Sequence, residues 1–235
     1  MNKIYEIRGL GIWIFILPIL ALNLCLFIST NYFLFENTIF VVDQIGRSSF
    51  TIPYIDGGVS ISRTARTYPA YLVFKPCMII TAFLLIKYWN QNNSLFRTIN
   101  SENKKNYLFL YFGIMSAIFL ILHSIFLGIN IENDLYKLFR RLVLIAFILF
   151  ELIAQSLLVF TLFKIKNLIS NYINKKILTL KIILVSLLVV VALISSPFLV
   201  FPGHTHFKHA LEWNYFVGIV IFYLLTFLFW KNEQA

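Results

Sequence analysis

Six apolar stretches, each about 20 residues or longer, limit what this chain can become: each is long enough to cross the hydrocarbon core of a bilayer as a helix. They fall at Gly9–Ser29, Pro69–Trp89, Tyr107–Ile129, Leu142–Phe163, Ile182–Phe201 and Leu211–Trp230. A backbone in lipid has no water to bond, so its N–H and C=O groups must pair internally, which leaves helices or a closed barrel. A barrel needs short segments of alternating polarity. Runs such as Ile182-Ile183-Leu184-Val185 do not alternate. The expected fold is all-α: a polytopic membrane protein, one domain over 1–235, with six transmembrane helices and a small outer loop between the first two.

Composition agrees. Hydrophobic residues make up 60% of the chain and charged residues 13%, with a mean hydropathy of +0.82. No water-soluble domain of this length needs so much apolar surface. The longest stretch between spans, Thr30–Tyr68, leaves no room for a separate soluble domain. The net charge of +10 resembles a nucleic-acid signature, but the basic residues sort by side. The larger share, including Lys3, Arg8, Lys87, Lys104, Lys105, Lys164, Lys166, Lys175, Lys176, Lys181 and Lys231, falls on the side of the termini. That bias places both termini in the cytoplasm. Arg140-Arg141 runs against it. The positive charge then faces anionic headgroups, with no nucleic acid as partner.

The N-terminal run follows Lys3 and Arg8 as a signal peptide would. It is too long for a cleaved segment and lacks a small-x-small site, so it reads as a retained first helix. Tyr88-Trp89, Trp230 and Trp213 sit at span ends, where aromatic anchors belong. Cys25 and Cys77 fall inside spans without metal-ligand spacing. They read as two apolar thiols, with a disulfide between the first two helices as the alternative.

The first loop has turn signals at Gly46 and Gly57-Gly58. Its β-prone runs Thr38–Val42 and Phe50–Ile55 suggest a small hairpin. Ionisable side chains inside a membrane are costly and so are candidate functional groups. Four qualify: Lys75, His123, Glu151 and Glu212. At 1.5 Å of rise per residue, Lys75 and His123 lie about 9 Å below the outer surface and Glu151 about 14 Å down its helix. Glu212 lies near the outer start of the last span. With Asp56, Arg63 and Arg66 of the first loop above them, they outline a polar pocket suited to a phospholipid headgroup. Each has a plainer reading. Lys75 can snorkel, and Pro76 beside it suggests a helix break. His123 can bond a neighbouring helix. Glu151, with Gln155 one turn on, can serve as a buried polar pair. Glu212 suits a first helical turn. His204, His206 and His209 precede Glu212. His206, His209 and Glu212 admit a metal reading, but the spacing spreads them over a wide arc, and a His–Glu acid/base pair is the other option. No metal or other cofactor is expected. GxSxG is absent, so no serine is singled out as a nucleophile; GxxxxGK[ST] and GxGxxG are absent too, so nucleotide chemistry is not expected.

Pro53-Tyr54-Ile55 in a long first outer loop, then Pro69 and Phe74, and Ala210-Leu211-Glu212-Trp213 opening the last helix after histidines, resemble the damage-regulated autophagy modulator/FRAG/SFK family, including its GPI-anchor lipid-remodelling branch. The chain departs from the family pattern where Asp56-Gly57-Gly58 follows directly on Ile55, with no intervening serine, and where Ala70 follows Pro69. The resemblance implies handling of membrane lipids and carries over Pro53, Tyr54, Glu212, His204 and His206. The expected function is membrane-lipid or lipid-anchor remodelling. His204, His206 and Glu212 are the candidate catalytic residues; Lys75, Arg66, His123, Pro53, Tyr54 and Asp56 are expected at the substrate. Expected partners are membrane lipids and other membrane proteins. Two alternatives stand beside it: a non-catalytic scaffold or regulator, and a small proton-coupled transporter using Glu151 and His123.

Overall fold

A computed structural model of the chain describes residues 2–35, 38, 50–99, 107–129, 133–200 and 203–231. These residues form α1 (Asn2–Thr30), α2 (Ile61–Ala65), α3 (Ala70–Ile99), α4 (Leu108–Phe126), α5 (Asp134–Ile165), α6 (Lys175–Val200) and α7 (Thr205–Phe229), with a 3₁₀ turn at Tyr32–Phe35. All but α2 are long and apolar enough to cross a membrane. The chain is an integral-membrane-type helical bundle, and its six spans bring both termini to one end. Residues 50–66 lie at the other, the loop end.

The spans pack in chain order into a closed ring: α1 on α3, α3 on α4, α4 on α5, α5 on α6, α6 on α7, and α7 back on α1. Small residues allow the close contacts, as is usual between membrane helices. At Gly11 a Cβ would stand 2.9 Å from the Tyr223 carbonyl oxygen, and at Gly113 one would stand 2.3 Å from the Trp89 ring. Leu20, Phe27, Phe83, Ile183 and Leu193 face outward toward lipid.

Helix ends differ from the hydropathy reading in informative ways. α3 runs ten residues past Trp89 on a polar sequence, and it passes through Pro76 without ending; Pro76 stands where a membrane helix tolerates a lost donor. α6 starts at Lys175 rather than at 182, so Lys181 is helical and fully buried. The aromatic anchors are a correction. Tyr88, Trp89 and Trp213 are fully buried and Trp230 nearly so, while Trp13 is the exposed tryptophan. Helix extension beyond the apolar run draws Tyr88 and Trp89 into the ring, and loop packing covers Trp213. Phe50–Ile55 forms no strand: Ile55 and Asp56 N–H both donate to the Ile52 carbonyl, making a turn. Most of Thr38–Val42 lies outside the described residues. Cys25 and Cys77 are both free thiols, and the Cys25 thiol donates to the Ala70 carbonyl at 3.3 Å.

Candidate functional site

The loop end is built by one helix gripping one strip of backbone. Asn214 Nδ2 donates to the Tyr54 carbonyl at 2.7 Å, and Trp213 Nε1 to Val59 at 2.9 Å. His206 Nδ1 meets the Asp56 carbonyl at 3.2 Å, and His209 Nδ1 the Gly57 carbonyl at 3.0 Å. A carbonyl oxygen only accepts, so both histidines carry a proton on Nδ1. The Glu212 carboxylate takes the N–H groups of Ile61 and Ser62 in the first turn of α2, donors that the helix itself leaves unpaired. Ser60 caps the same turn by accepting the Arg63 N–H at 3.2 Å. From Tyr54 to Ser62 the first loop is thus bonded to side chains of α7.

The loop also holds its own shape. The Asp56 carboxylate accepts from the Thr51 hydroxyl at 2.5 Å and from the N–H groups of Ile52 and Gly58, both at 2.8 Å. These bonds, first that of Thr51, hold its pKa below the ordinary aspartate value. Tyr54 lies edge-on to Trp213 with ring centroids 4.9 Å apart, and its hydroxyl donates to Asn23 Oδ1 of α1. Burial pushes the Tyr54 hydroxyl up, against the opposing bond to Asn23. Pro53 is buried.

Basic groups collect beside α2. Burial first, then the charges of Arg140 and Arg63, hold the Arg66 guanidinium below its ordinary pKa. Arg140 also lies within charge-interaction range of His123. Its guanidinium stacks over Tyr136, 5.3 Å from the ring centroid, and its buried Nε finds no partner. None of these arginines forms an ion pair among the described residues. Lys75 Nζ donates to the Ile125 carbonyl at 3.4 Å and lies 5.3 Å from the Tyr71 ring centroid, while His123 packs edge-on to Phe74. Lys75 and His123 therefore both lie at the α3–α4 contact, and Glu212 is bonded elsewhere, at the end of α2 away from Arg66. His204 stands outside the grip, with positive φ and its ring against Phe198. No three His, Cys, Asp or Glu side chains among the described residues converge as metal ligands.

A second polar group fills the ring's interior. Glu151, fully buried, accepts from Ser116 Oγ at 2.5 Å, from Gln155 Nε2 at 3.0 Å and from the Tyr223 hydroxyl. Gln155 Nε2 also reaches the Ile219 carbonyl at 3.2 Å. Nearer the terminal end, Lys181 Nζ donates to Thr226 Oγ1 at 2.6 Å and lies 3.9 Å from the Phe222 ring centroid. Thr226 in turn meets the Tyr88 hydroxyl at 3.1 Å, and the Tyr88 ring lies edge-on to Tyr223. Sequence reasoning found Glu151 and Gln155 but not Lys181, Ser116, Tyr223 or Arg140. The signal for Lys181 was present: one charge, more than a turn inside the apolar run after Lys175-Lys176.

Comparison with family models, with curated proteins and with solved structures finds no match to this chain.

Proposed function

We propose that this chain takes part in membrane-lipid or lipid-anchor remodelling, as a relative of the damage-regulated autophagy modulator/FRAG/SFK proteins, with a lipid headgroup held at the loop end. One observation carries the reading. The two segments on which the resemblance rests, Pro53-Tyr54-Ile55 and Leu211-Glu212-Trp213, lie far apart in sequence yet pack together through the Tyr54–Trp213 ring contact and the bond from Asn214 to the Tyr54 carbonyl. The arginines at the other end of α2 supply what a phosphate needs: guanidinium donors without a carboxylate partner among the described residues. In this reading Arg66 and Arg140 hold phosphate, with Lys75 and His123 alongside. His206 holds the loop and Glu212 holds the start of α2, whose C-cap is Arg66. The termini face the cytoplasm, as the lysine and arginine bias implies.

Lipid profiles of a deletion strain, rescued with wild-type protein, Arg66→Gln or Glu212→Gln, test it. Both variants should reach normal abundance and fail to restore the profile. Glu212→Gln keeps an acceptor oxygen for the α2 N–H groups while removing the charge, so a folding defect is not the expected outcome.

One observation favours a scaffold instead: His206 Nδ1 and the Glu212 carboxylate are already engaged by loop backbone. Normal lipid profiles in both variants at normal abundance would support that reading and remove the first.

A further inference from the structure

The polar group inside the ring is one proton short of the bonds it makes. Taken as a carboxylate, Glu151 accepts from Ser116, from Gln155 and from the Tyr223 hydroxyl. Ser116 Oγ, however, lies 2.5 Å from Glu151 Oε2 and also 3.0 Å from the Gly113 carbonyl oxygen. A serine hydroxyl has one proton, and a carbonyl oxygen only accepts. Both contacts are hydrogen bonds only if a second proton lies between Glu151 and Ser116.

The neighbours have none to spare. Gln155 Nε2 directs one N–H at Glu151 Oε1 and the other at the Ile219 carbonyl, and that carbonyl fixes which end of the carboxamide points there. Gln155 Oε1 is itself left without a donor. Tyr223 gives its single proton to Oε1. The missing proton therefore belongs on Oε2. The acid donates it to Ser116 Oγ, and Ser116 donates its own to Gly113.

Charge points the same way. Glu151 is fully buried, and α5 packs against α4, α6 and α7. The ionisable side chains of those helices are engaged elsewhere or are themselves phenols. His123 of α4 lies against Phe74, Lys181 of α6 donates to Thr226, and Tyr215 of α7 donates to the Leu188 carbonyl. From α3, the Tyr88 hydroxyl meets Thr226. No cation forms an ion pair with Glu151 among the described residues. An anion without a counter-ion in such a place is costly, and a neutral acid with every bond made is not.

We propose that Glu151 is a proton-binding site, loaded at neutral pH in the folded chain, whose proton joins α5 to α4 through Ser116. Release of the proton turns the Ser116 hydroxyl from the Gly113 carbonyl to the anion. Gly113 is where the Trp89 ring lies against α4, so the site stands directly behind the α3–α4 contact. It depends on no part of the lipid-remodelling reading.

Two measurements on the full-length protein at neutral pH test it. Infrared spectra in lipid nanodiscs should contain the carbonyl band of a protonated carboxyl group that is missing from Glu151→Gln. Glutamine keeps a carbonyl for Tyr223 and Gln155 and turns an N–H toward Ser116, so this variant should fold with a midpoint near that of wild type. Ser116→Ala should keep the band but move it to higher wavenumber, because the acid loses its acceptor. That shift is read against wild type alone and does not depend on how Glu151→Gln folds. Unfolding in denaturing detergent, followed with an indicator dye in weak buffer, should release about one proton more from wild type than from Glu151→Gln, since an exposed glutamate is ionised at neutral pH. A wild-type spectrum without the Glu151-dependent band, a band unmoved in Ser116→Ala, or equal proton release from the two chains would overturn the proposal.

Discussion

Gly57 and His206 touch so closely that a Cβ on Gly57 would stand 1.8 Å from the His206 carbonyl oxygen. Gly57 also has a φ of +62°, in the left-handed region. Two separate constraints thus require glycine at the point where the first loop crosses the start of α7. Neither can relax alone, because His206 and His209 hold the carbonyls of Asp56 and Gly57 from the same helix.

Gly57→Ala should therefore detach the loop. The left-handed conformation costs about 1 kcal/mol for alanine, and a buried clash with backbone typically adds about 1–3 kcal/mol. Thermal unfolding in detergent should show a clearly lowered midpoint. Limited proteolysis should cut between residues 50 and 60 at protease levels that leave the wild-type chain whole. A variant as resistant as wild type would show that the grip of α7 does not order this loop.

The loop should also have an acid limit set by Asp56. Three donors, the Thr51 hydroxyl first, stabilise its carboxylate and depress its pKa in the folded chain. A carboxyl depressed by folding adds stability above its unfolded pKa, near 3.9, and that stability is lost as pH falls through the lower folded value. Hydrogen exchange at Ile52 and Gly58 should thus show constant protection from neutral pH down to about 4 and lose it only below. Asp56→Asn keeps one acceptor oxygen where aspartate has two, so it should lose protection already at neutral pH at one of the two amides, the one left facing its NH₂.

These residues show where the sequence was readable and where it was not. Six spans followed from hydropathy, because an apolar run of bilayer length has few other fates. Helix ends did not follow, because hydropathy stops where a helix leaves lipid, not where it stops being a helix. α3 continues through Asn90–Asn93, and that extension turned Tyr88 and Trp89 from expected interface anchors into core residues. Glu151 and Gln155 were visible as polar residues one turn apart in an apolar run. Their partners Ser116 and Tyr223 were not, because the side of the ring a helix faces is decided by neighbours distant in sequence. The bonding of α7 to residues 54–62 was equally hidden, since every one of its acceptors and the two N–H donors to Glu212 belong to the backbone.

The two buried ionisable residues should respond differently to removal. Glu151 gathers donors from α4, α5 and α7, and replacing it with leucine leaves the Tyr223 hydroxyl without its acceptor, while Ser116 keeps the Gly113 carbonyl and Gln155 the Ile219 carbonyl. A buried donor left without an acceptor costs about 1–3 kcal/mol, and the space vacated by the carboxyl group adds to it. Lys181 makes one hydrogen bond, to Thr226, which keeps Tyr88 as its partner. Lys181→Met keeps the stem over Phe222 and drops the amine, so its cost should stay below about 1.5 kcal/mol. Unfolding measured side by side should rank Glu151→Leu below Lys181→Met, and the reverse ranking would mean that Lys181 is the keystone of the interior.

The contact of Gly113 on α4 with Trp89 on α3 gives a test of packing free of charge effects. At Gly113 a Cβ would stand 2.3 Å from Trp89 Cγ and 2.4 Å from both of its ring neighbours. The indole lies flat on the glycine of α4, is fully buried, and also packs against Phe109, Tyr88 and Tyr223. It has no free direction in which to move. Gly113→Ala should cost about 1–3 kcal/mol by overpacking, despite the better helix propensity of alanine. Trp89→Leu alone should cost more, because it empties the space the ring fills. In the double variant the new methyl occupies part of that space, so the combined loss should fall short of the sum by at least about 0.5 kcal/mol. A strictly additive pair would mean that α3 and α4 do not meet through these two residues.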